Sequence, residues 1–262
     1  MAFYYHKERM LSPSIEREEI RRLEELAFRG WPALETRDSA GWRLRFSGGY
    51  TKRANSINAL DNRADCSIET LAALERAYRE RGLDVVWRLT PLAPAELTAT
   101  LAARGYRAIE RSLLQRRPLP AGLSVDPQVQ VLPQPTADWI AAFCRYSPVR
   151  PEHQDVMQRM LATIAAPVGF AFVVEDDRPM AMAIGAVEGD HMGLFDVLVM
   201  PHARRRGLAR RVTRSLYAWA WQHGARFAYL QVVATNDAAL PLYAAQGFRT
   251  LYEYEYRIPP SS

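Results

Sequence analysis

Residues 197–210 read Val-Leu-Val-Met-Pro-His-Ala-Arg-Arg-Arg-Gly-Leu-Ala-Arg, and the fold turns on this stretch. An apolar run ends at Pro201, a basic turn carrying Gly207 follows, and Leu208, Val212, Leu216 and Trp219 then recur at helical spacing. Strand, glycine-bearing turn and helix start in succession form an anion-binding layout. The first N–H groups of a helix have no intrahelical partner, and the macrodipole adds partial positive charge there. Gly207 and the small Ala209 let the backbone approach a ligand closely. Arg204, Arg205, Arg206, Arg210 and Arg211 surround the turn with positive charge. Taken alone, the same residues read equally well as a solvated basic helix start.

Residues 236–248, Asn-Asp-Ala-Ala-Leu-Pro-Leu-Tyr-Ala-Ala-Gln-Gly-Phe, supply the context. Asn236 suits the N-cap of a short helix, and Gly247 stands where a helix end needs positive φ. The alternating Tyr-Glu-Tyr-Glu-Tyr at 252–256 then reads as a strand. The two stretches together resemble the GNAT (GCN5-related) N-acetyltransferases. The acyl-CoA loop pattern of that family, Gln/Arg-x-x-Gly-x-Gly/Ala, is met by Arg204, Gly207 and Ala209. Its second signature, Asn-x-x-Ala-x-x-Leu-Tyr-x-x-x-Gly-Phe, is met by Asn236, Ala239, Leu242, Tyr243, Gly247 and Phe248. The resemblance covers roughly residues 125–258.

Bulk properties bound the rest. With 48% hydrophobic and 24% charged residues, the 262-residue chain reads as ordinary globular protein, long enough for one large domain or two small ones. No apolar run approaches the roughly 20 residues of a membrane span. Met1–Met10 has no apolar core, so no secretory signal is expected. Cys66 and Cys144 lack metal-ligand spacing and read as reduced thiols, so a cytoplasmic protein without a metal is expected. The net charge is +5, yet arginines alternate with glutamates, as in Glu16-Arg17-Glu18-Glu19, which describes a solvated face rather than a nucleic-acid surface.

The chain also contains an echo of itself. A shift of 142 positions lays 82–109 over 224–251 without a gap, both reading glycine, strand, turn, helix, glycine-aromatic-arginine, strand. The expected fold is therefore α/β (α+β), two GNAT-like mixed-sheet domains in tandem, with helices on both faces of each central sheet. Residues 1–120 form a degenerate copy without a CoA site, and residues 125–262 form the copy that carries it. In this register Asp65 stands opposite Gly207, Ser67 opposite Ala209, Leu101 opposite Tyr243 and Pro94 opposite Asn236. A carboxylate where a pyrophosphate should lie repels it. The spacing places helices at 14–29, 68–81, 94–104, 136–146, 152–164, 206–222 and 237–246. Strands fall at 42–47, 54–60, 84–89, 107–115, 169–175, 179–188, 191–199, 226–233 and 249–257. Ser47-Gly48-Gly49-Tyr50 reads first as a hairpin turn. The longer stretch 45–56 looks like that of bacterial two-repeat GNAT proteins, where it could line the acceptor side of the cleft.

The resemblance implies acetyl transfer from acetyl-CoA to a primary amine of a small molecule, protein or peptide. Backbone groups of Arg205, Arg206, Gly207, Leu208, Ala209 and Arg210, with Arg204 beside them, would hold the pyrophosphate. Val197, Leu198 and Val199 would hold the pantetheine arm as an added strand, and an N–H near Val199 would polarise the thioester carbonyl. Asn236 would bond the CoA arm. Tyr243 would protonate the leaving thiolate, since a phenol is neutral at ordinary pH. Many relatives place a glutamate where this chain has Gln231, which cannot accept a proton, so Asp196 stands in as base, with Glu188 and His191 behind it. The loop 146–153 is expected over the cleft. A homodimer is compatible with these readings, as are a silent acyl-CoA-binding module and an acyltransferase using a longer acyl group.

Overall fold

The computed structural model describes residues 15–165 and 167–260, so the reading of Met1–Met10 and the first residue of the helix placed at 14–29 lie outside the described residues. The first half contains α1 (Arg17–Gly30), β1 (Glu35–Ser39), β2 (Trp42–Phe46), β3 (Ile57–Ala59), α2 (Ile68–Arg79), β4 (Trp87–Leu89), α3 (Leu97–Ala103) and β5 (Arg107–Pro118). The second contains β6 (Gln130–Leu132), α4 (Ala137–Tyr146), α5 (Gln154–Ala162), β7 (Val168–Glu175), β8 (Arg178–Glu188) and β9 (His191–Val199). It continues with α6 (Leu208–Gln222), β10 (Phe227–Val233), α7 (Ala239–Ala245) and β11 (Arg249–Ile258). Helices α3 and α7 begin and end 142 residues apart, and β5 and β11 begin 142 apart, so the repeat is structural.

All strands join one eleven-stranded sheet, ordered β1-β2-β3-β4-β11-β5-β10-β9-β8-β7-β6. The pairs β3/β4 and β9/β10 are parallel, and the other neighbours are antiparallel. The two copies exchange their last strands. β5 pairs with β10 of the second copy, and its repeat partner β11 pairs with β4 of the first. The two exchanged strands pair with each other at the centre. The two mixed sheets are thus merged into one, and each copy depends on the other for a strand.

Helices cover both faces. On one, α1 turns Ile20, Leu23, Leu26 and Ala27 onto the sheet, all buried. At Gly30 an added Cβ would lie 2.9 Å from both the Phe195 ring and the Tyr229 hydroxyl. Each large apolar side chain so buried contributes about 1.5–3 kcal/mol. On the other face, Leu216 of α6 packs against Gly185 of β8, where a Cβ would approach it to 3.2 Å. Although α1 comes from the first half of the chain, it packs on β8 and β9 and joins the core of the second. The first copy keeps a separate core around Trp42, Trp87, Tyr78 and Leu101. Between them lies a buried ion pair, in which Arg88 of β4 donates to Glu24 of α1 at 3.0 Å and the Tyr252 hydroxyl donates to the same carboxylate at 2.6 Å. Burial opposes the Arg88 charge, and Glu24 overcomes that penalty, holding the guanidinium proton well above its ordinary value.

Three local readings change. β1 and β6 are additional strands. β1 is Glu-Thr-Arg-Asp-Ser, exposed at every position, so it carries no alternation that a sequence pattern could register. It pairs with β2 through a turn at Ala40 and Gly41, both at positive φ. Ser47–Tyr50 is not a hairpin turn but the start of a loop closed by Asn55. The Asn55 Oδ1 accepts from Ser47 N at 2.7 Å and Gly49 N at 3.0 Å, and its Nδ2 donates to the Tyr50 carbonyl at 2.7 Å.

Candidate active site

Strands β9 and β10 pair in parallel only as far as Leu194 and Leu230. Beyond that point β10 stays with β5 as far as Val233 opposite Ser112, while β9 stays with β8 as far as Val199 opposite Ala181. The two strands part, and Asp196–Val199 has lost its neighbour on the β10 side. A β-bulge marks the parting. Phe195 faces Ile184 and Leu198 faces Met182, three steps on β9 against two on β8, with Asp196 at φ 46°. The free edge offers N–H and C=O groups to an extended ligand, as an added strand would use them.

The edge leads into the anion-binding turn. After a 3-10 turn at Pro201–Ala203, Arg205 (φ 65°) and Gly207 (φ 73°) are left-handed, and α6 begins at Leu208 without a side-chain cap. A Cβ at Gly207 would meet nothing within 4 Å, so the turn opens onto free space. The arginines divide into two groups. Arg206 is tied to Glu175 at 2.8 Å, and Arg211 grips Asp126 through two bonds of 2.9 and 3.1 Å. Arg204, Arg205 and Arg210 have no ionic partner among the described residues, while Leu208 and Ala203 are buried and anchor the turn.

In the first copy the helix starts set Ser67, the N-cap of α2, opposite Gly207, the N-cap of α6, so Asp65 lies two residues earlier than the ungapped register placed it, and the protein itself fills this turn. The Asp65 carboxylate accepts from Ser67 N and Ser67 Oγ, each at 2.8 Å, and from the Thr70 hydroxyl at the start of α2. The Thr70 and Ser67 donors hold its pKa below the ordinary carboxylate value. The first copy is also shorter at this point. Asn58 pairs with Arg88 as Leu194 pairs with Leu230, so β3 and β9 correspond at a shift of 136, while the helices that follow, α2 and α6, begin 140 residues apart. The second copy therefore carries four more residues between strand and helix, where its free edge and turn lie.

Tyr243 of α7 is buried, near enough to Asp196 to feel its charge. Burial first, then the Asp196 carboxylate, pushes its phenol up to about 12, so it holds its proton at neutral pH. Its ring packs edge-on against Phe248, with centroids 5.7 Å apart. The N-cap of α7 is Ala238, and Asn236 closes the turn before the helix rather than capping it directly. Its Oδ1 accepts from Ala239 N at 3.0 Å, and its amide nitrogen has no partner among the described residues. One side chain can thus cap the turn and still donate outward.

A cavity of about 530 Å³ opens against the free edge at Asp196, Val197 and Leu198. Its other walls are the loop 49–53 of the first copy and the loop 147–153 of the second, so both stretches expected on the acceptor side meet here. Arg53, which sequence reading did not single out, donates to Asp196 at 3.1 Å and stacks over the Trp31 ring at 4.6 Å. Lys52 pairs with Glu110 at 2.7 Å on the same wall. The lining therefore carries both signs of charge.

Two expected bases are elsewhere. His191 begins β9, five residues from Asp196 and roughly 17 Å away along a strand. Glu188 precedes it and is bound to Arg29 at 2.6 Å. Neither reaches the free edge. Gln231 lies on β10 opposite Leu114, just past the last β9 pair. Among the described residues, no cluster of side chains could hold a metal ion and no helix is long and apolar enough to cross a membrane.

A strand that leaves its parallel neighbour at a bulge and runs into an uncapped, glycine-started helix is the arrangement that the resemblance to the GNAT class of acyltransferases implies. The solved structures agree on the fold. The GCN5-related N-acetyltransferase from Kribbella flavida superposes with a TM-score of 0.64 at 17% identity, covering 92% of this chain and 96% of that one. The tandem GNAT protein from the clavulanic acid biosynthesis pathway superposes at 0.62 and 12% identity, covering 92% and 88%. The uncharacterized N-acetyltransferase YobR of Bacillus subtilis (strain 168) is 27% identical over 250 residues, 92% of this chain and 99% of its own length. The family model described as "Probable histone acetyltransferase Rv0428c C-terminal" matches residues 17–257, and the chain belongs to that family. It is an N-acetyltransferase of the GNAT type.

Proposed function

We propose that the chain transfers an acetyl group from acetyl-CoA directly to a primary amine, with one cofactor site per chain, in the copy spanning 125–262. The observation that carries this reading is the unpartnered β9 edge at 196–199 running into the open, left-handed turn at Gly207. Acetyl-CoA supplies an activated acyl group on a thiol leaving group. The α6 N–H groups of Leu208, Ala209 and Arg210 hold the pyrophosphate, with Arg204 and Arg205 alongside. Val197, Leu198 and Val199 hold the pantetheine arm, and a β9 N–H donates to the carbonyl oxygen where charge develops. Tyr243 gives its proton to the departing sulfur as the amine nitrogen bonds to the carbonyl carbon and the C–S bond breaks. Asp196, at the mouth of the acceptor cavity, receives the proton that the ammonium loses. The copy spanning 1–120 contributes the acceptor wall and, with Asp65 in place, no second cofactor site.

The test is release of free CoA thiol from acetyl-CoA across a panel of amines. Amine-dependent release supports the reading. Tight acetyl-CoA binding with no release for any amine would make the chain a binding module.

A further inference from the structure

A second cavity of about 710 Å³ lies on the first copy, against residues 82–86, Arg107 and the end of β11 at Ile258–Pro260. It shares Gly49, Lys52, Arg150 and His153 with the cavity at the free edge. The two spaces adjoin at these residues, which form a waist between an inner and an outer compartment. Gly49 sits at that waist, where a Cβ would lie 3.7 Å from His153 Nε2 on the inner side and 3.9 Å from Leu83 Cδ2 on the outer. The outer compartment is lined by Lys52, Arg107 and Arg150 against the single carboxylate of Asp84, above a floor that includes Leu83, Ile109 and Ile258. Lys52 and Arg150 are partly neutralised by Glu110 at 2.7 Å and Glu152 at 3.3 Å, whereas Arg107 has no ionic partner among the described residues.

We infer that the acceptor is an extended peptide with a free N-terminus. Its amine enters the inner compartment, an acidic side chain meets the cations at the waist, and an apolar residue rests in the outer compartment. This rests on the acetyl-transfer reading for the identity of the inner site, and not for the binding of the peptide. A single small amine would fill only the inner space. A lysine-rich segment would bring like charge to Lys52, Arg107 and Arg150, which disfavours binding. The first copy then has a function that its lost cofactor site does not explain, since it forms the outer compartment.

The experiment uses tetrapeptides with a free N-terminus and a fluorophore at the C-terminus, titrated with the full chain and read by anisotropy. One carries acidic second and third residues and an apolar fourth, and the other carries lysines in place of the acids. The acidic peptide is expected to bind about tenfold or more tighter than the lysine peptide, with the difference shrinking at high salt. Arg107→Glu, an exposed change far from the free edge, is expected to weaken the acidic peptide about tenfold. In turnover assays the same variant should raise KM for that peptide while leaving alanine amide within about twofold of wild type. Equal binding of the two peptides, or an Arg107→Glu variant that binds the acidic one unchanged, overturns the inference. Peptide binding without acetyl-CoA binding would instead remove the acetyl-transfer reading and leave the peptide site standing.

Discussion

Arg53, in the loop after β2, donates to Asp196 at the β9 bulge across 3.1 Å, joining the first copy to the free strand edge of the second. Both side chains are only about one-fifth exposed, at 22% and 21%. The pair lies in the wall of the cavity at the point where β9 leaves β10.

Arg53→Met should therefore destabilise the fold by about 2–3 kcal/mol, because it leaves a carboxylate half-buried without its cation. Adding Asp196→Asn should restore part of the loss. Chemical denaturation of the two single variants and the double variant measures the coupling, and additive losses would show that the pair does not act as a unit.

Tyr243→Phe should lower kcat by about a hundredfold while leaving acetyl-CoA affinity within about twofold. Because burial and Asp196 raise the phenol to about 12, Tyr243 remains a proton donor throughout the neutral and mildly alkaline range. An alkaline fall in activity centred below pH 10 then belongs to another group. Unchanged kcat in Tyr243→Phe would assign the proton to water.

His191 gives a pH dependence of stability. Burial lowers its pKa below 6.5, outweighing the hydrogen bond that Nδ1 donates to the Asp190 carboxylate at 2.8 Å. The neutral ring is the form that the fold prefers. Its contribution is complete above the unfolded pKa near 6.5 and is lost as pH falls through the lower folded value. Denaturant midpoints should fall on acidification from pH 7 to 5, with a shallower fall in His191→Phe. Parallel profiles would contradict this.

The exchanged strands predict that the halves do not stand alone. A fragment of residues 125–262 lacks β5, leaving β10 and β11 with unpaired edges where the intact sheet has its centre. It should aggregate, and co-expression with residues 1–124 should restore a soluble pair. A monomeric, folded fragment would show that the exchange is dispensable.

Much of this was legible in local pattern. β9 occupies 191–199 as its apolar run indicates, and α6 starts two residues after the expected 206, because Gly207 is left-handed and cannot sit within the helix. The ungapped comparison set Asp65 against Gly207, whereas the helix starts set Ser67 there, because the first copy is shorter before its helix. The strand exchange was not legible, because β5 and β11 have the same pattern whichever neighbour they pair with. The division of the arginines depends on Glu175 and Asp126, which come from distant segments. Arg53 was hidden for the same reason. Its partner lies 143 positions away, and a lone arginine in a polar loop gives no sign of burial.

The chain is expected to hold one acetyl-CoA, on the turn at Gly207, and none on the turn at Asp65. Calorimetric titration of the full chain with acetyl-CoA tests it directly. The expected result is one equivalent bound per chain, abolished by Gly207→Glu and unchanged in stoichiometry by Asp65→Asn. Two equivalents, or affinity that survives Gly207→Glu, would contradict it.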